Sequence, residues 1–337
     1  MTTSFSGRPA APFGAALTAA ALALTLTACS SEDPAADGAG SGSALSHIHG
    51  LGLRGDTLYV ATHQGVHSPD ADGRPVLVGD RRDDFMGFTI TAEGVFLASG
   101  HPAPGSDGPA DLGLVASADS GRTWRERSLG GKVDFHALDT ARDGTVYGYD
   151  SAAGLLRVSP DGVTWDDRAA LRALDIAVSP TAAGTVLATT ETGVVRSTDG
   201  GRSFAPASER VLAYVSWAAP DALYGVDPDG VLFRGTDGGT SWTRIAGVPG
   251  GAPQALTAVD ARRVLVATGE GVYESGDGGR RFARRMAVEP GGGGPRAGWG
   301  APARPPPTRG RSRSPGTPPG TAADCPTPRR RRPRSSS

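Results

Sequence analysis

SADSGRTW, residues 117–124, returns in four variants further along the chain. They are SPDGVTW (159–165), STDGGRSF (197–204), GTDGGTSW (235–242) and SGDGGRRF (275–282). Their aspartates, Asp119, Asp161, Asp199, Asp237 and Asp277, follow one another at intervals of 42, 38, 38 and 40 residues. A period of this size marks a repeat architecture in which each copy is one supersecondary unit. Within a copy, the carboxylate accepts hydrogen bonds from backbone N–H groups of a tight turn, and the glycines permit positive φ there. The Thr or Ser that follows restarts a strand, and the aromatic packs between units. These five aspartates are therefore expected to hold turns and not to act as catalytic carboxylates. Two copies are imperfect: the one at Asp161 is a residue short, and the one at Asp237 opens on Gly235. A sixth, degenerate copy begins at Ser68, Pro69 and Asp70.

Each turn fits into a four-strand unit. LDIAV (174–178) opens one, TVLAT (185–189) follows, a glycine turn leads into VVRS (194–197), and a polar fourth strand comes after the aspartate turn. The second strands align along the chain as 58–61, 95–98, 146–149, 186–188, 223–226 and 264–267. This count predicts an all-β chain folded as a six-bladed β-propeller over residues 46–288, with seven blades as the alternative. Radial repetition of small sheets protects strand edges that would otherwise pair with other chains. The chain starts on the innermost strand of blade one and ends on the outermost strand of blade six, so no strand-swapped closure is expected. The repeated turn resembles the Asp-box, or BNR repeat, of sialidases and other propellers.

The termini have a different character. Arg8 is the only charge before Glu32, and an apolar run from Ala15 ends in LTAC, residues 26–29. The run is too short to span a bilayer, which takes about 20 residues, and suits the core of a signal peptide over residues 1–28. LTAC resembles the lipobox of bacterial lipoproteins, which implies a diacylglycerol on Cys29 and attachment to the outer face of the cell membrane. Residues 29–45, rich in Gly, Ser and Ala, read as a flexible tether. Residues 289–337 lose all alternation and are expected to be a disordered Pro/Arg-rich tail. That tail reads either as a basic arm for polyanions or as translation of a shifted frame. A complete sixth blade before it favours the second. Residues 285–337 carry 11 Arg against Glu289 and Asp324, or +9, so with a net charge of −1 the remainder sums to −10. An acidic body offers no basic stripe to meet phosphates, which excludes a nucleic-acid partner. The other cysteine, Cys325, lies in the tail, so no disulfide is expected inside the fold.

All six histidines fall within residues 47–136. In a propeller, the loops entering innermost strands and those joining second to third strands share one face, here called the top. The aspartate turns lie on the opposite face. His47, His49, His63, His101 and His136 map to the top of three adjacent blades, whereas His67 falls in a third strand. This predicts a ligand or metal site, because imidazole suits zinc, copper or nickel. The alternative is that these rings support loop backbone. The second-to-third strand loops also offer Asp150, Glu191, Asp227 and Glu270, which with His63 and His101 would form a polar ring at the channel mouth.

HIHGLG (47–52), YVATH (59–63), MGFT (86–89), ASGHP (98–102) and DFHAL (134–138) together resemble a group of bacterial propeller lipoproteins labelled glycosyl-hydrolase-like or sialidase-like. The resemblance implies membership more than an activity. Sialidases carry their first substrate-binding arginine in an Arg-Ile-Pro motif near the propeller's start; here Arg244 and Ile245 precede Ala246, in blade five. Tyr59, Tyr147, Tyr224 and Tyr273 are read as second-strand residues, a structural spacing. Fold alone does not confer activity. Three functions follow. The favoured one is a binding or assembly platform whose top face meets a glycan or protein. The others are a glycoside hydrolase, exo-acting and of unknown substrate, and an envelope protein that binds a divalent transition metal.

Overall fold

Alternating residues give each strand one face to bury, and a single four-stranded sheet cannot cover its own apolar side. Six such sheets solve this by packing against one another in a ring, as the computed structural model of the chain shows. Residue 45 and residues 47–182 and 184–288 are described. Signal peptide, Cys29, the tether up to residue 44 and the tail all lie outside that range, whereas Leu45, expected as the last tether residue, is buried where blade six meets blade one. Among the described residues there is no helix, and hence none long and apolar enough to cross a membrane.

Every sheet is antiparallel and takes its four strands in chain order from the inside out. The innermost strands are Ile48–Arg54, Asp84–Ile90, Phe135–Thr140, Ile176–Val178, Tyr214–Trp217 and Pro253–Ala258. The last outermost strand is Ala283–Ala287, so the six blades use consecutive strands without exchange between first and last. The fold is an all-β, six-bladed propeller.

The core is divided among the blade interfaces. Six apolar clusters each join one blade to the next. Phe85 and Phe96 anchor blades one and two, Phe135 blades two and three, and Leu265 and Met286 pack against Leu51 and Leu58 where blade six meets blade one. Polar contacts reinforce that closure: Gln254 Oε1 accepts from Ile48 N at 2.9 Å, and Thr257 Oγ1 donates to the Leu51 carbonyl at 2.8 Å.

The repeated turns work as their chemistry suggests. Asp119 Oδ1 accepts from Thr123 N at 2.9 Å and from Ser117 Oγ at 2.8 Å, while Ser117 Oγ accepts from Gly121 N. Asp199 and Asp277 repeat the arrangement, the shorter Asp161 turn keeps the two bonds to its carboxylate, and Asp70 caps its own turn through the N–H groups of Asp72 and Arg74. These bonds stabilise the ionised form and hold Asp119 and Asp161 down at about 2. Asp237 departs from the expectation. With Gly235 in place of Ser there is no hydroxyl to bridge, and the turn closes through backbone, Gly239 N donating to the Thr236 carbonyl at 3.0 Å. Asp237 itself takes φ 53°. The aromatic that follows each turn packs into the interface with the preceding blade. Trp124 lies against Phe85 at 4.8 Å between centroids, and Trp165 against Phe135 at 4.9 Å, with its Nε1 donating to Ser128 Oγ. Tyr273 sits in a third strand, Gly271–Ser275, and not in the second strand expected for it.

Candidate metal centre at the channel mouth

The inner strands enclose a central cavity of ≈ 670 Å³, with His49 and His136 among its lining residues. In register, the start of an innermost strand lies opposite the end of the second: Ile48 faces Thr62, and Asp84 faces His101. Antiparallel order therefore gathers these termini on the top face, away from the aspartate turns.

Two groups of side chains meet there. In the first, His49 Nε2 lies 3.4 Å from His63 Nε2, and His63 Nδ1 lies 2.7 Å from Asp84 Oδ1. Asp84 Oδ1 is also 4.0 Å from His49 Nε2. One nitrogen from each ring and one carboxylate oxygen all fall within 4.8 Å of one another. The His47 ring stands 5.3 Å from that of His63, on a backbone with φ 55°, uncommon for a residue with a Cβ. Burial pushes His49 down to about 3, and His63 adds to the effect. Asp84 sits below its usual value: burial alone would raise it, but the hydrogen bond and charge of His63 outweigh that.

In the second group, Asp134 Oδ2 lies 2.7 Å from His136 Nε2 and 3.3 Å from His101 Nε2. His101 Nδ1 faces the Ala110 carbonyl at 3.2 Å and Asp111 Oδ1 at 3.5 Å. The five top-face histidines thus divide three and two between these groups. His67 stays apart, buried in the third strand of blade one, where burial lowers it to about 4.

The four carboxylates expected beside them do not form a ring, and none lines the cavity. Asp150 is buried and spent within its own hairpin, accepting from Ala153 N at 3.0 Å and Arg157 Nε at 3.1 Å. Asp227 caps its own turn through Asp229 N and Val231 N. Glu191 and Glu270 project into solvent. A hairpin joining two strands outside the innermost one has no need to lean over the axis.

The carboxylates that do converge, Asp84 and Asp134, come from the entries to innermost strands. A signal for them was present: Asp-Phe occurs at 84–85 and again at 134–135, in the same place of successive blades. Two further acids, Asp139 and Asp175, line the cavity deeper down and clasp neighbouring blades. Asp139 Oδ2 accepts from Val178 N at 2.7 Å, and Asp175 Oδ2 from Val215 N at 2.9 Å. Burial pushes them up to about 6 and about 7.

No protein-family model matches the chain, and no curated protein matches it in sequence. Solved structures do match in fold. A gluconolactonase from Xanthomonas campestris aligns over 67% of this chain and 84% of its own, at 14% identity and a TM-score of 0.55. A GH74 enzyme from Niastella koreensis aligns over 72% of this chain and 46% of its own, at 14% identity and a TM-score of 0.51. The chain thus spans less than half of that GH74 enzyme. Likeness at this level of identity shows the propeller fold.

Proposed function

We propose that this protein is a lipoprotein anchored by Cys29 to the outer face of a bacterial cell membrane, whose propeller binds a divalent transition metal at the mouth of its channel. The repeats fit the Asp-box class, with three of the five turns carrying the full hydrogen-bond set and the Asp161 turn keeping its carboxylate bonds. The observation that carries the metal reading is the convergence of His49, His63 and Asp84. A tetrahedral ion with metal–nitrogen distances of about 2.0–2.1 Å has ligand–ligand edges of about 3.4 Å. The two Nε2 atoms already stand at 3.4 Å. Asp84 Oδ1, at 4.0 Å from His49 Nε2, reaches the same ion once it turns from the His63 Nδ1 that it contacts at 2.7 Å. Two imidazoles and one carboxylate suit zinc, copper or nickel over calcium or magnesium. Three protein ligands leave a position open to water or to a group on a glycan or protein, which makes the top face a platform for binding. Glycoside hydrolysis is less favoured. It needs two carboxylates free to face the sugar, and Asp139 and Asp175 are each engaged by backbone of the next blade.

The test is calorimetric titration of zinc and of copper into the purified full chain carrying no histidine tag, at neutral pH. A stoichiometric ion that His49→Ala with His63→Ala removes, in a variant that still melts cooperatively, supports the reading. No binding, or binding unchanged in that variant, overturns it.

A further inference from the structure

The second group of side chains carries a ligand requirement of its own. We infer that His101, Asp134 and His136 form a second divalent-metal position beside the first. This extends the metal reading above to a mouth that holds two ions, but it stands on different residues.

The argument begins with His101. Its Nδ1 faces two acceptors and no donor, the Ala110 carbonyl at 3.2 Å and Asp111 Oδ1 at 3.5 Å. Nδ1 must therefore carry the ring proton. In the neutral ring, Nε2 then presents a lone pair, and what it meets at 3.3 Å is Asp134 Oδ2, another acceptor. Two lone pairs then face each other across that gap unless a second proton or a cation enters it. A cation there resolves the conflict. A metal-bound imidazole typically donates its other N–H to a carbonyl or carboxylate, which fixes the tautomer and aims the free nitrogen at the ion. His101 has both supports already in place.

Asp134 supplies the second observation. Its side chain is only 8% exposed. Oδ2 lies between two imidazoles, His136 Nε2 at 2.7 Å and His101 Nε2 at 3.3 Å, and the two nitrogens are more widely spread than the ligand atoms of the first group, so a ring turns inward to meet the ion. Oδ1 is buried without any hydrogen-bond partner. A buried carboxylate oxygen left unpartnered is costly, and a metal ion is one of the few groups that satisfy it. Access is open, because His101 and His136 are 44% and 36% exposed. The donor set again suits zinc, copper or nickel. Asp84, Asp111 and Asp134 together provide negative charge for more than one divalent ion in the same mouth.

The experiment is equilibrium dialysis of the full chain, without a histidine tag, against zinc at neutral pH, followed by metal analysis. The expected content is two ions per chain. His101→Ala with His136→Ala should leave one ion, and His49→Ala with His63→Ala should leave the other. Asp134→Asn is nearly isosteric and guards against a folding artefact. It should weaken only the second ion, by on the order of tenfold or more. One ion in the parent that survives loss of His101 and His136 overturns this inference and leaves the first site standing. One ion lost in both double variants also overturns it, since it means a single shared site. Two ions in the parent with one retained after loss of His49 and His63 supports it. Absence of any bound zinc overturns both readings.

Discussion

Asp175 should become a better residue as an asparagine once the pH is high enough. Its carboxylate lines the cavity at the entry to blade four's innermost strand and accepts the Val215 N–H of blade five. Burial pushes it from 3.8 up to about 7, with the Asp139 charge adding to the rise. A carboxyl whose folded value lies above its unfolded one stabilises the fold fully below pH 3.8. That contribution is lost as pH rises to about 7. At about 1.4 kcal/mol per pH unit, the loss reaches about 4 kcal/mol as an upper limit. Asp175 is partly open to the cavity, and water there lowers the figure to about 2 kcal/mol as an order of magnitude. Asparagine keeps an oxygen for the Val215 N–H and never ionises. Asp175→Asn should therefore match the parent near pH 4 and exceed it at pH 8 by about 2–4 kcal/mol, a Tm gain of roughly 4–16 °C for a domain of this size. Thermal melts of both proteins from pH 4 to pH 8, in chelator to remove metal effects, read this directly. A difference that does not grow with pH, or an asparagine variant less stable at pH 8, would refute the assignment of a strained ionised clasp.

Three further outcomes follow from other parts of the molecule. Asp119→Ala should lower Tm at pH 7 clearly more than Asp237→Ala, because only Asp119 ties its turn through the carboxylate. The contribution of Asp119, held down at about 2, is present above pH 3.8 and fades as pH falls toward 2, so the gap between the two variants should narrow in acid melts. Gly148→Ala places a Cβ 2.5 Å from Phe135 Cδ1, against a ring that is fully buried, and should cost about 1–3 kcal/mol in denaturant unfolding. An unchanged midpoint would mean that the ring moves freely. Cys29→Ala, expressed in a bacterium with lipoprotein processing, should shift the protein from the detergent phase to the aqueous phase. Retention in the detergent phase would remove the case for the lipid anchor.

Blade number was legible because each repeat carries its own local chemistry: an aspartate, glycines able to take positive φ, and an aromatic for the blade interface. Hydrophobic runs marked the start of each second strand within one residue, as at Val146–Asp150 and Val264–Thr268. The histidines were legible as a group because they crowd into three adjacent blades. Their division into two ligand sets was not. Which ring meets which carboxylate depends on the radius at which each strand enters the ring, and pattern in one dimension carries no radius. For the same reason Asp150 and Asp227 read as members of a channel-mouth ring, yet both close on their own hairpins. Asp84 and Asp134, marked only by the repeated Asp-Phe pair, lie among the imidazoles. The sequence by itself determined the six repeated sheets, because turn bonding and strand alternation are local properties of the chain. Only the tertiary structure decided the site, because closing the ring sets residues of neighbouring blades within a few ångströms of one another.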